Sequence, residues 1–288
     1  MTPSLNRPLA AGWTRPRALL ALAALTSAPA CRRAAAPSTT DGAIESAGTW
    51  AGLRVRTVGE RQDPRQVVIL LHGWGAPGDD LVPLGEALSA PGRLLVFPEG
   101  PLVSQGGGRA WWQLDLARLQ AAQGAVGRGR GEEFRSDIPA GLPDARAKLI
   151  AFITEVTRRA RVAPQAVVIG GFSQGAMLST DVVLAAPGAV GGLVVLSGSF
   201  IAEPVWTSRL AALPEGFPIF MSHGRMDPVL PFAFAETLRD RFQAAHHAVT
   251  WVPFAGGHGI PQVVLSELQT FLGARSSPGA AVPGAAQH

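Results

Sequence analysis

Short apolar segments alternate with helical patterns along most of this chain, and no other feature limits its fold as strongly. Six segments are uninterrupted apolar runs: Gln66–Leu71, Arg93–Phe97, Ala166–Gly170, Gly192–Leu196, Phe217–Met221 and Ala248–Pro253. Continuous apolar runs, unlike alternating ones, are typical of strands that are buried on both faces of a mostly parallel sheet. The sequence therefore predicts such a sheet as the centre of the protein.

Helical patterns separate these predicted strands. They cover Asp79–Ser89, Asp144–Arg161, Gln174–Ala185, Pro231–Ala245 and Pro261–Leu272. Right-handed crossovers between parallel strands place helices on both faces of a sheet. We therefore expect a three-layer α/β domain, with Thr49–Val58 as an antiparallel edge strand.

Composition agrees with a folded domain and excludes several functional classes. Of the 288 residues, 47% are hydrophobic, which is enough to build a core and excludes wholesale disorder. The net charge of +4 lacks the clustered surplus that nucleic-acid binding needs, so we expect no nucleic-acid partner. The single cysteine excludes an internal disulfide, and no ligand spacing such as H-E-x-x-H indicates a metal site. No cofactor is expected.

The first 30 residues have the pattern of an export signal. Three arginines precede an apolar run over residues 18–30 that is too short to span a bilayer. The small-x-small cleavage pattern Ala28-Pro29-Ala30 stands directly before Cys31. This arrangement resembles a bacterial lipoprotein signal and predicts an enzyme of the cell envelope that is anchored to a membrane by lipidation of Cys31. The alternative is simple signal cleavage, which gives a periplasmic or secreted enzyme.

Composition also predicts the domain boundaries. Residues 1–30 form the predicted signal peptide, and residues 31–47 are rich in Ala, Pro, Ser and Thr, which is typical of a flexible tether. The folded domain is expected over residues 48–273, and residues 274–288 are expected to be a disordered tail.

A long irregular connection interrupts the domain over residues 98–142. It holds two glycine clusters together with Trp111 and Trp112. Long irregular connections inside compact domains are usually functional, so we predict an insertion that forms a pocket wall and a mobile lid. The alternative is that both tryptophans pack on the sheet as core residues.

The segment Gly171-Phe172-Ser173-Gln174-Gly175 carries the chemistry. This G-x-S-x-G pattern follows a predicted apolar strand and precedes a predicted helix. Such a context is typical of a nucleophile elbow, a sharp turn that exposes the serine hydroxyl. The alternative is a serine that merely caps the helix. Because the positive end of the helix points at the turn, negative charge that develops there is favoured.

A serine nucleophile needs a base, and a histidine base needs an orienting acid. In α/β-hydrolases these residues follow in the order serine, acid, histidine. His258 lies in a glycine-rich loop after the last predicted strand, which is the place expected for the base. Among the acids between Ser173 and His258, Asp227 directly follows a predicted strand, although it is also explained as an Asp-Pro turn.

Acyl transfer also needs donors for the oxyanion of the tetrahedral intermediate. One predicted donor is the backbone N–H of Gln174, the residue after the nucleophile. The other is the backbone N–H of Trp74 in the loop Leu71–Gly75, where two flanking glycines permit the required turn. The Trp74 side chain is expected to be a wall for the substrate.

Five ordered segments resemble the carboxylesterase, lysophospholipase and acyl-protein thioesterase family of α/β-hydrolases. They are LLHGWGAPGDDLVPLGEAL, RAWW, GGFSQGAMLS, HGRMDPVLP and GGHGI. The resemblance implies the α/β-hydrolase fold, with Ser173, Asp227 and His258 as the catalytic triad. It also implies that Trp74 and Gln174 form the oxyanion hole, and that the segment with Trp111 and Trp112 lines the acyl pocket.

The sequence therefore predicts a serine hydrolase that cleaves small or medium carboxylic esters or lysophospholipids through an acyl-serine intermediate. Three alternatives stay open at this point. The first two are a thioesterase and a peptidase of the same fold. The third is a surface lipoprotein that uses the fold as a non-catalytic binding scaffold. Acyl-chain length, leaving group and oligomeric state are not specified by the sequence.

Overall fold

An eight-stranded sheet forms the centre of the protein in the computed structural model, which describes residues 43–115, 117–118, 121, 124 and 132–275. The strands are β1 (Ala47–Trp50), β2 (Leu53–Gly59), β3 (Gln66–Leu71), β4 (Arg93–Pro98), β5 (Leu102–Val103), β6 (Arg109–Ala110), β7 (Val167–Phe172), β8 (Gly192–Leu196), β9 (Pro218–Gly224) and β10 (Ala248–Phe254). Their order in the large sheet is β1-β2-β4-β3-β7-β8-β9-β10, while β5 and β6 form a separate hairpin. All pairs from β4 to β10 are parallel, and β1 and β2 add an antiparallel edge.

Helices cover both faces of this sheet. They are α1 (Val82–Ala87), α2 (Glu132–Arg135), α3 (Leu142–Ala160), α4 (Gln174–Ala185), α5 (Glu203–Arg209), α6 (Phe232–Ala244) and α7 (Gln262–Ala274). Successive residues of β3 divide between two cores, because Val67 and Ile69 pack with α3 and α4, whereas Val68 and Leu70 pack with α7. The predicted three-layer α/β-hydrolase fold with a mostly parallel sheet is therefore confirmed.

The structure corrects the predicted edge strand. Thr49–Val58 was expected to be one strand, but the chain reverses at Ala51 and Gly52, whose φ angles are 46° and 77°. Positive φ at both central residues is the requirement of the tight turn that joins two strands of a hairpin. Apolar residues stand on both sides of the turn, so the sequence pattern did not reveal the reversal.

Further elements were not predicted. The helices α2 and α5 and the hairpin of β5 and β6 are short and lie in segments without clear periodicity. The hairpin lies within the predicted insertion, and its exposed Leu102 and Val103 make no continuous apolar run. Such short elements carry too few residues for hydrophobic periodicity to reveal them.

The ends of the folded region remain predictions. The predicted signal peptide and most of the tether and tail lie outside the described residues. Within the described part, Ile44 is buried in the core and α7 continues to Ala274. None of the helices that the structure describes combines the length and apolar character needed to cross a membrane. Across the same residues, no group of histidine, cysteine and acidic side chains is arranged to hold a metal ion.

A buried ion pair fixes the helix that follows the candidate nucleophile. Asp181 of α4 has no solvent exposure, and its carboxylate accepts hydrogen bonds from Nε of Arg146 at 2.6 Å and from Nε1 of Trp206 at 2.9 Å. These donors lie on α3 and α5, so one carboxylate joins three helices. Removal of one partner from a buried pair is costly because the remaining charge stays unpaired.

We expect the substitution Asp181→Ala to destabilise the domain by about 3–5 kcal/mol, because it leaves the Arg146 guanidinium and the Trp206 indole without their acceptor. Urea denaturation followed by tryptophan fluorescence measures this change. The matched control is Glu155→Ala, which removes the exposed pairs of Glu155 with Arg158 and Arg159 and should leave the midpoint almost unchanged. Equal midpoints for the two variants would contradict the role of Asp181.

Candidate active site

Ser173 occupies a strained turn between β7 and α4. Its φ and ψ angles are 55° and −116°, a conformation that residues with a side chain rarely adopt. The Ser173 N–H donates to the Leu196 carbonyl at 2.9 Å, and the N–H of Met177 donates to the Ser173 carbonyl at 3.1 Å. The turn is thus held from both sides, and the serine side chain is half-buried at the first turn of α4.

The glycines of the motif are required because their positions leave no room for a side chain. A Cβ at residue 171 would lie 2.4 Å from the Leu71 carbonyl oxygen, and one at residue 175 would lie 2.2 Å from the same atom. Real Cβ atoms essentially never approach this closely, so α4 can start here only if both positions lack a side chain. This finding explains the G-x-S-x-G spacing in terms of contact with the end of β3.

Asp227 and His258 meet at the same edge of the sheet. Nδ1 of His258 lies 2.7 Å from Oδ2 of Asp227, and Oδ1 accepts the N–H groups of Val229 and Leu230 at 2.8 and 2.9 Å. The His258 ring also packs 4.7 Å from the ring of Phe172, centroid to centroid. With Nδ1 engaged by the carboxylate, Nε2 is the ring nitrogen that can take a proton from a serine hydroxyl.

The Asp227 carboxylate is held in its charged form. Burial alone would raise its pKa, but hydrogen bonds from His223 and His258 and from the Leu230 N–H outweigh burial and hold the pKa well below the usual range. A carboxylate that stays ionised stabilises the imidazolium that forms when His258 accepts a proton.

A glycine contact brings the two loops together. Gly224 ends β9, and a Cβ there would lie 2.2 Å from the Gly257 carbonyl oxygen and 2.5 Å from that of Gly256. The Met226 N–H also donates to the Gly256 carbonyl at 3.0 Å. The loop that carries His258 therefore rests directly on the loop that carries Asp227.

The predicted oxyanion loop lies against the nucleophile. A Cβ at Gly73 would lie 3.4 Å from the Ser173 Cβ, so the backbone that precedes Trp74 contacts the elbow. Gln174 is the first residue of α4, where backbone N–H groups have no partner within the helix. The loop that carries Trp74 and the first residue of α4 therefore both lie next to Ser173.

His72, at the start of this loop, holds backbone in place. Its Nδ1 donates to the Gly73 carbonyl at 2.7 Å, and its Nε2 accepts the Gly100 N–H at 2.9 Å. Burial lowers the pKa of His72, which favours this neutral ring. Both nitrogens are engaged, so His72 is not available as a base.

The side chain of Gln174 joins the elbow to the segment Trp111–Trp112. Its Oε1 accepts the Trp111 N–H at 3.0 Å, and its Nε2 donates to the Trp112 carbonyl at 2.9 Å. Gln174 is fully buried, so these bonds are shielded from water. Sequence reasoning identified only the backbone of Gln174 and missed the function of its side chain.

A cavity of about 720 Å³ opens beside Ser173 and His258. Its wall is mainly apolar, and the polar groups include the carboxylates of Asp80, Asp115 and Asp137 and the guanidinium of Arg118. Apolar lining residues include Trp74, Trp112, Leu114, Phe134, Met177 and Phe200. A cavity of this size and character suits a small molecule with an apolar chain.

The two adjacent tryptophans differ in position. Trp112 lines the cavity, as predicted for a pocket wall. Trp111 does not line it: the ring stacks on His72 at 5.3 Å, and its Nε1 donates to the His72 carbonyl at 3.0 Å. The prediction that Trp111 contacts the substrate is therefore corrected, because its side chain turns toward the base of the oxyanion loop.

We expect Gly224→Ala to slow the reaction of Ser173 with a fluorophosphonate by about 100-fold or more, because the added Cβ pushes the His258 loop away from Asp227. The matched control is Gly259→Ala, whose Cβ meets nothing within 4 Å although the residue adjoins His258. Labelling rates and melting temperatures of both variants provide the test. A Gly224→Ala enzyme that is labelled as fast as the control would show that this contact does not position His258.

The chain is similar in sequence to known proteins. The sequence model of the phospholipase/carboxylesterase family matches residues 54–276. Acyl-protein thioesterase 1 of Yarrowia lipolytica is 31% identical over 183 residues, which cover 60% of this chain and 74% of the relative. The Saccharomyces cerevisiae protein of the same name is 28% identical, with 67% of this chain and 82% of the relative covered.

Solved structures show the same fold. Esterase PE8, whose crystal structure is known, has 27% sequence identity to this chain. The two structures superpose with a TM-score of 0.64 over 76% of this chain and 97% of that chain. The carboxylesterase of Bacillus cereus has a TM-score of 0.61 at 17% identity, over 77% of this chain and 94% of that chain, and it is similar in fold.

These relatives contradict the predicted location. An exported enzyme of the cell envelope was expected, but the named relatives are acyl-protein thioesterases of eukaryotes such as Saccharomyces cerevisiae and Candida albicans. Cys31, the predicted lipidation site, lies outside the described residues and before the family match begins at residue 54. An alanine run behind arginines also arises in a chain that is rich in both residues, so this pattern did not establish an export signal.

The match over most of the chain and the shared fold identify the family, and its members include named esterases and thioesterases. The chain belongs to the phospholipase/carboxylesterase family of α/β-hydrolases and is a serine ester hydrolase.

Proposed function

We propose that this enzyme hydrolyses acyl esters and thioesters in two steps through an acyl-Ser173 intermediate, with Ser173, Asp227 and His258 as its catalytic triad. The observation that carries the proposal is that Ser173 and His258 line one cavity, while His258 contacts the buried carboxylate of Asp227 at 2.7 Å. A nucleophile and a base thereby face one binding space, and an orienting acid holds the base from behind.

In the first step His258 accepts the proton of the Ser173 hydroxyl as the oxygen attacks the carbonyl carbon of the substrate. Asp227 stabilises the resulting imidazolium. The imidazolium then gives its proton to the leaving alcohol or thiol, and the acyl group stays on the serine. In the second step water attacks the acyl-serine with the same base, which releases the acid and restores the serine.

Backbone N–H groups of Trp74 and Gln174 would stabilise the negative oxygen of both tetrahedral intermediates. The Gln174 N–H stands at the start of α4, where the helix dipole also favours negative charge. Donors fixed in the backbone need no rearrangement as charge develops, and one such donor is worth about 3–4 kcal/mol of transition-state stabilisation.

The apolar cavity supports a fatty acyl chain as the group transferred. Its volume of about 720 Å³ and its walls of Trp112, Leu114 and Phe134 suit a chain of medium length. The names of the relatives support a thioester substrate, whereas the esterase structure supports an oxygen ester. A lysophospholipid offers the same acyl ester and is a further candidate substrate.

We expect Ser173→Ala to abolish hydrolysis of p-nitrophenyl esters and of acyl thioesters, and to abolish fluorophosphonate labelling, because it removes the attacking oxygen. His258→Ala should lower kcat by several orders of magnitude, since the triad acts as a unit. Steady-state kinetics with esters and thioesters of one chain length provide the measurement and also report the preferred leaving group.

The control for this experiment is the fold of the variants, which melting temperature and circular dichroism report. Labelling of a folded Ser173→Ala enzyme at the wild-type rate would contradict the assignment of the nucleophile. If Asp181→Asn abolished activity while Asp227→Asn left it intact, the acid would be misassigned.

We further propose that residues 98–142 form the acyl-pocket wall. Within this segment Trp112, Leu114, Phe134 and Ile138 line the cavity. Phe134 belongs to the short helix α2, which is tied to α5 because Nε of Arg135 donates to Glu203 at 2.7 Å. This part of the wall is therefore attached through α2 to α5.

We expect Trp112→Ala to flatten the rise of kcat/KM with acyl length, because each methylene that contacts an apolar wall contributes about 0.8 kcal/mol. The matched control is Trp111→Ala, which removes an equally large buried ring outside the cavity. It should lower stability by about 3–5 kcal/mol and leave the ratio of butyrate to octanoate rates unchanged. Equal effects of both variants on this ratio would contradict the assigned wall.

A further inference from the structure

The Asp227 carboxylate accepts hydrogen bonds from two histidine rings, although the proposed triad uses one. Nε2 of His223 lies 3.1 Å from Oδ2 of Asp227, the same oxygen that His258 Nδ1 approaches at 2.7 Å. The other oxygen is occupied by the N–H groups of Val229 and Leu230. Each oxygen of the acid therefore has two donors, and His223 shares one with the proposed base.

The surroundings of His223 make its Nε2 a hydrogen-bond donor. The ring is fully buried, and its Nε2 faces two acceptors, Oδ2 of Asp227 and the Leu230 carbonyl, each at 3.1 Å. Two acceptors require that Nε2 carries a proton. Nδ1 is buried without a hydrogen-bond partner among the described residues, so a second proton would place an unsatisfied N–H there.

No other charged group contacts His223 among the described residues. The ring lies edge-on to Phe232 of α6 at 6.0 Å, and the guanidinium of Arg225 lies over the Phe232 ring at 5.1 Å. In β10 the residue paired with His223 is Pro253, and in β8 Leu196 pairs with the preceding Ser222. On the cavity side, His258 shares its surroundings with the following charged residues: Asp80, Asp115, Arg118 and Asp137.

We propose that His223 is a positioning residue for Asp227, which fixes the carboxylate and limits the electrostatic stabilisation that it gives to protonated His258. The proposal rests on the proposed triad. A hydrogen bond to an anion withdraws charge from the accepting oxygen, so the other donor at the same oxygen is held less strongly. His223 thereby helps His258 to release its proton to the leaving group and to start the next cycle neutral.

The variant His223→Leu removes the donor. The full carboxylate charge then acts on His258 and favours its protonated form, so the acidic limb of the pH profile of kcat/KM should move to higher pH by about 0.5–1 unit. We also expect kcat at the optimum to fall about tenfold, because the carboxylate loses one of its fixed contacts.

Two amide variants form a matched pair. In His223→Gln the amide nitrogen stands as many bonds from the backbone as Nε2 does, so it can donate to Asp227 and should restore the acidic limb to the wild-type pH. In His223→Asn the amide reaches only the position of Nδ1, so the limb should move as in His223→Leu. If His223 had a purely structural role, these variants would have lower melting temperatures, but the acidic limb of their pH profiles would stay at the wild-type pH. That result would overturn the proposal.

A second measurement needs no variant and no substrate. In wild-type enzyme with ¹⁵N-labelled histidine, NMR should show a proton on Nε2 of His223 that is hydrogen-bonded to the Asp227 carboxylate. A His223 ring without a proton on Nε2 would overturn the proposal even if the variants failed to fold. The two proposals fail in different ways. If Ser173 of the wild-type enzyme is not labelled, the proposed triad is wrong. If the His223→Leu enzyme is active and the acidic limb of its pH profile stays at the wild-type pH, the proposed role of His223 is wrong.

Discussion

The contact between the elbow and the end of β3 is the constraint on which the site depends. Both glycines of the motif press on the Leu71 carbonyl, where a Cβ at either position would come within 2.4 Å. Because β3 leads directly into the loop that carries Trp74, this contact sets the distance between Ser173 and the proposed backbone donors. Ser173 accepts a φ of 55° as a consequence, and the cost of about 1–3 kcal/mol is offset by the packed strands on either side.

A second close contact builds the other half of the site. β9 and β10 are neighbours in parallel register, with Gly224 paired to Phe254, so their carboxyl ends bring Asp227 and the His258 loop to one place. Ligand sites in open α/β sheets lie at this edge for the same topological reason. The absence of a side chain at Gly224 then allows the loops to touch, and the carboxylate fills its hydrogen-bonding capacity with two N–H groups and two rings. Both halves of the site therefore depend on backbone-to-backbone approach.

The sequence predicted the features that repeat or that follow a fixed order. β3 is buried at all six residues, and a continuous apolar run is the direct signature of that burial. The order of serine, acid and histidine indicated residues that the structure brings together. The sequence did not reveal the contact between His223 and Asp227, because a histidine at the end of a strand has no distinctive pattern and the contact depends on how the following loop folds back. Trp111 and Trp112 were not distinguishable, since neighbouring aromatics in an irregular segment have no periodicity that assigns a direction to each ring.

The proposed pocket wall and the proposed oxyanion hole are joined by hydrogen bonds, which limits how substrate preference can change. Gln174 binds the backbone of both tryptophans, while Trp111 binds the His72 carbonyl just before the oxyanion loop. A displacement of this part of the wall would also move the groups that stabilise the oxyanion, where a shift of about 1 Å can cost 100-fold in rate. Leu114 and Phe134 line the same cavity, are only partly buried, and take no part in these bonds. Acyl preference can therefore vary through such side chains, while the segment bonded to Gln174 must stay fixed for any substrate.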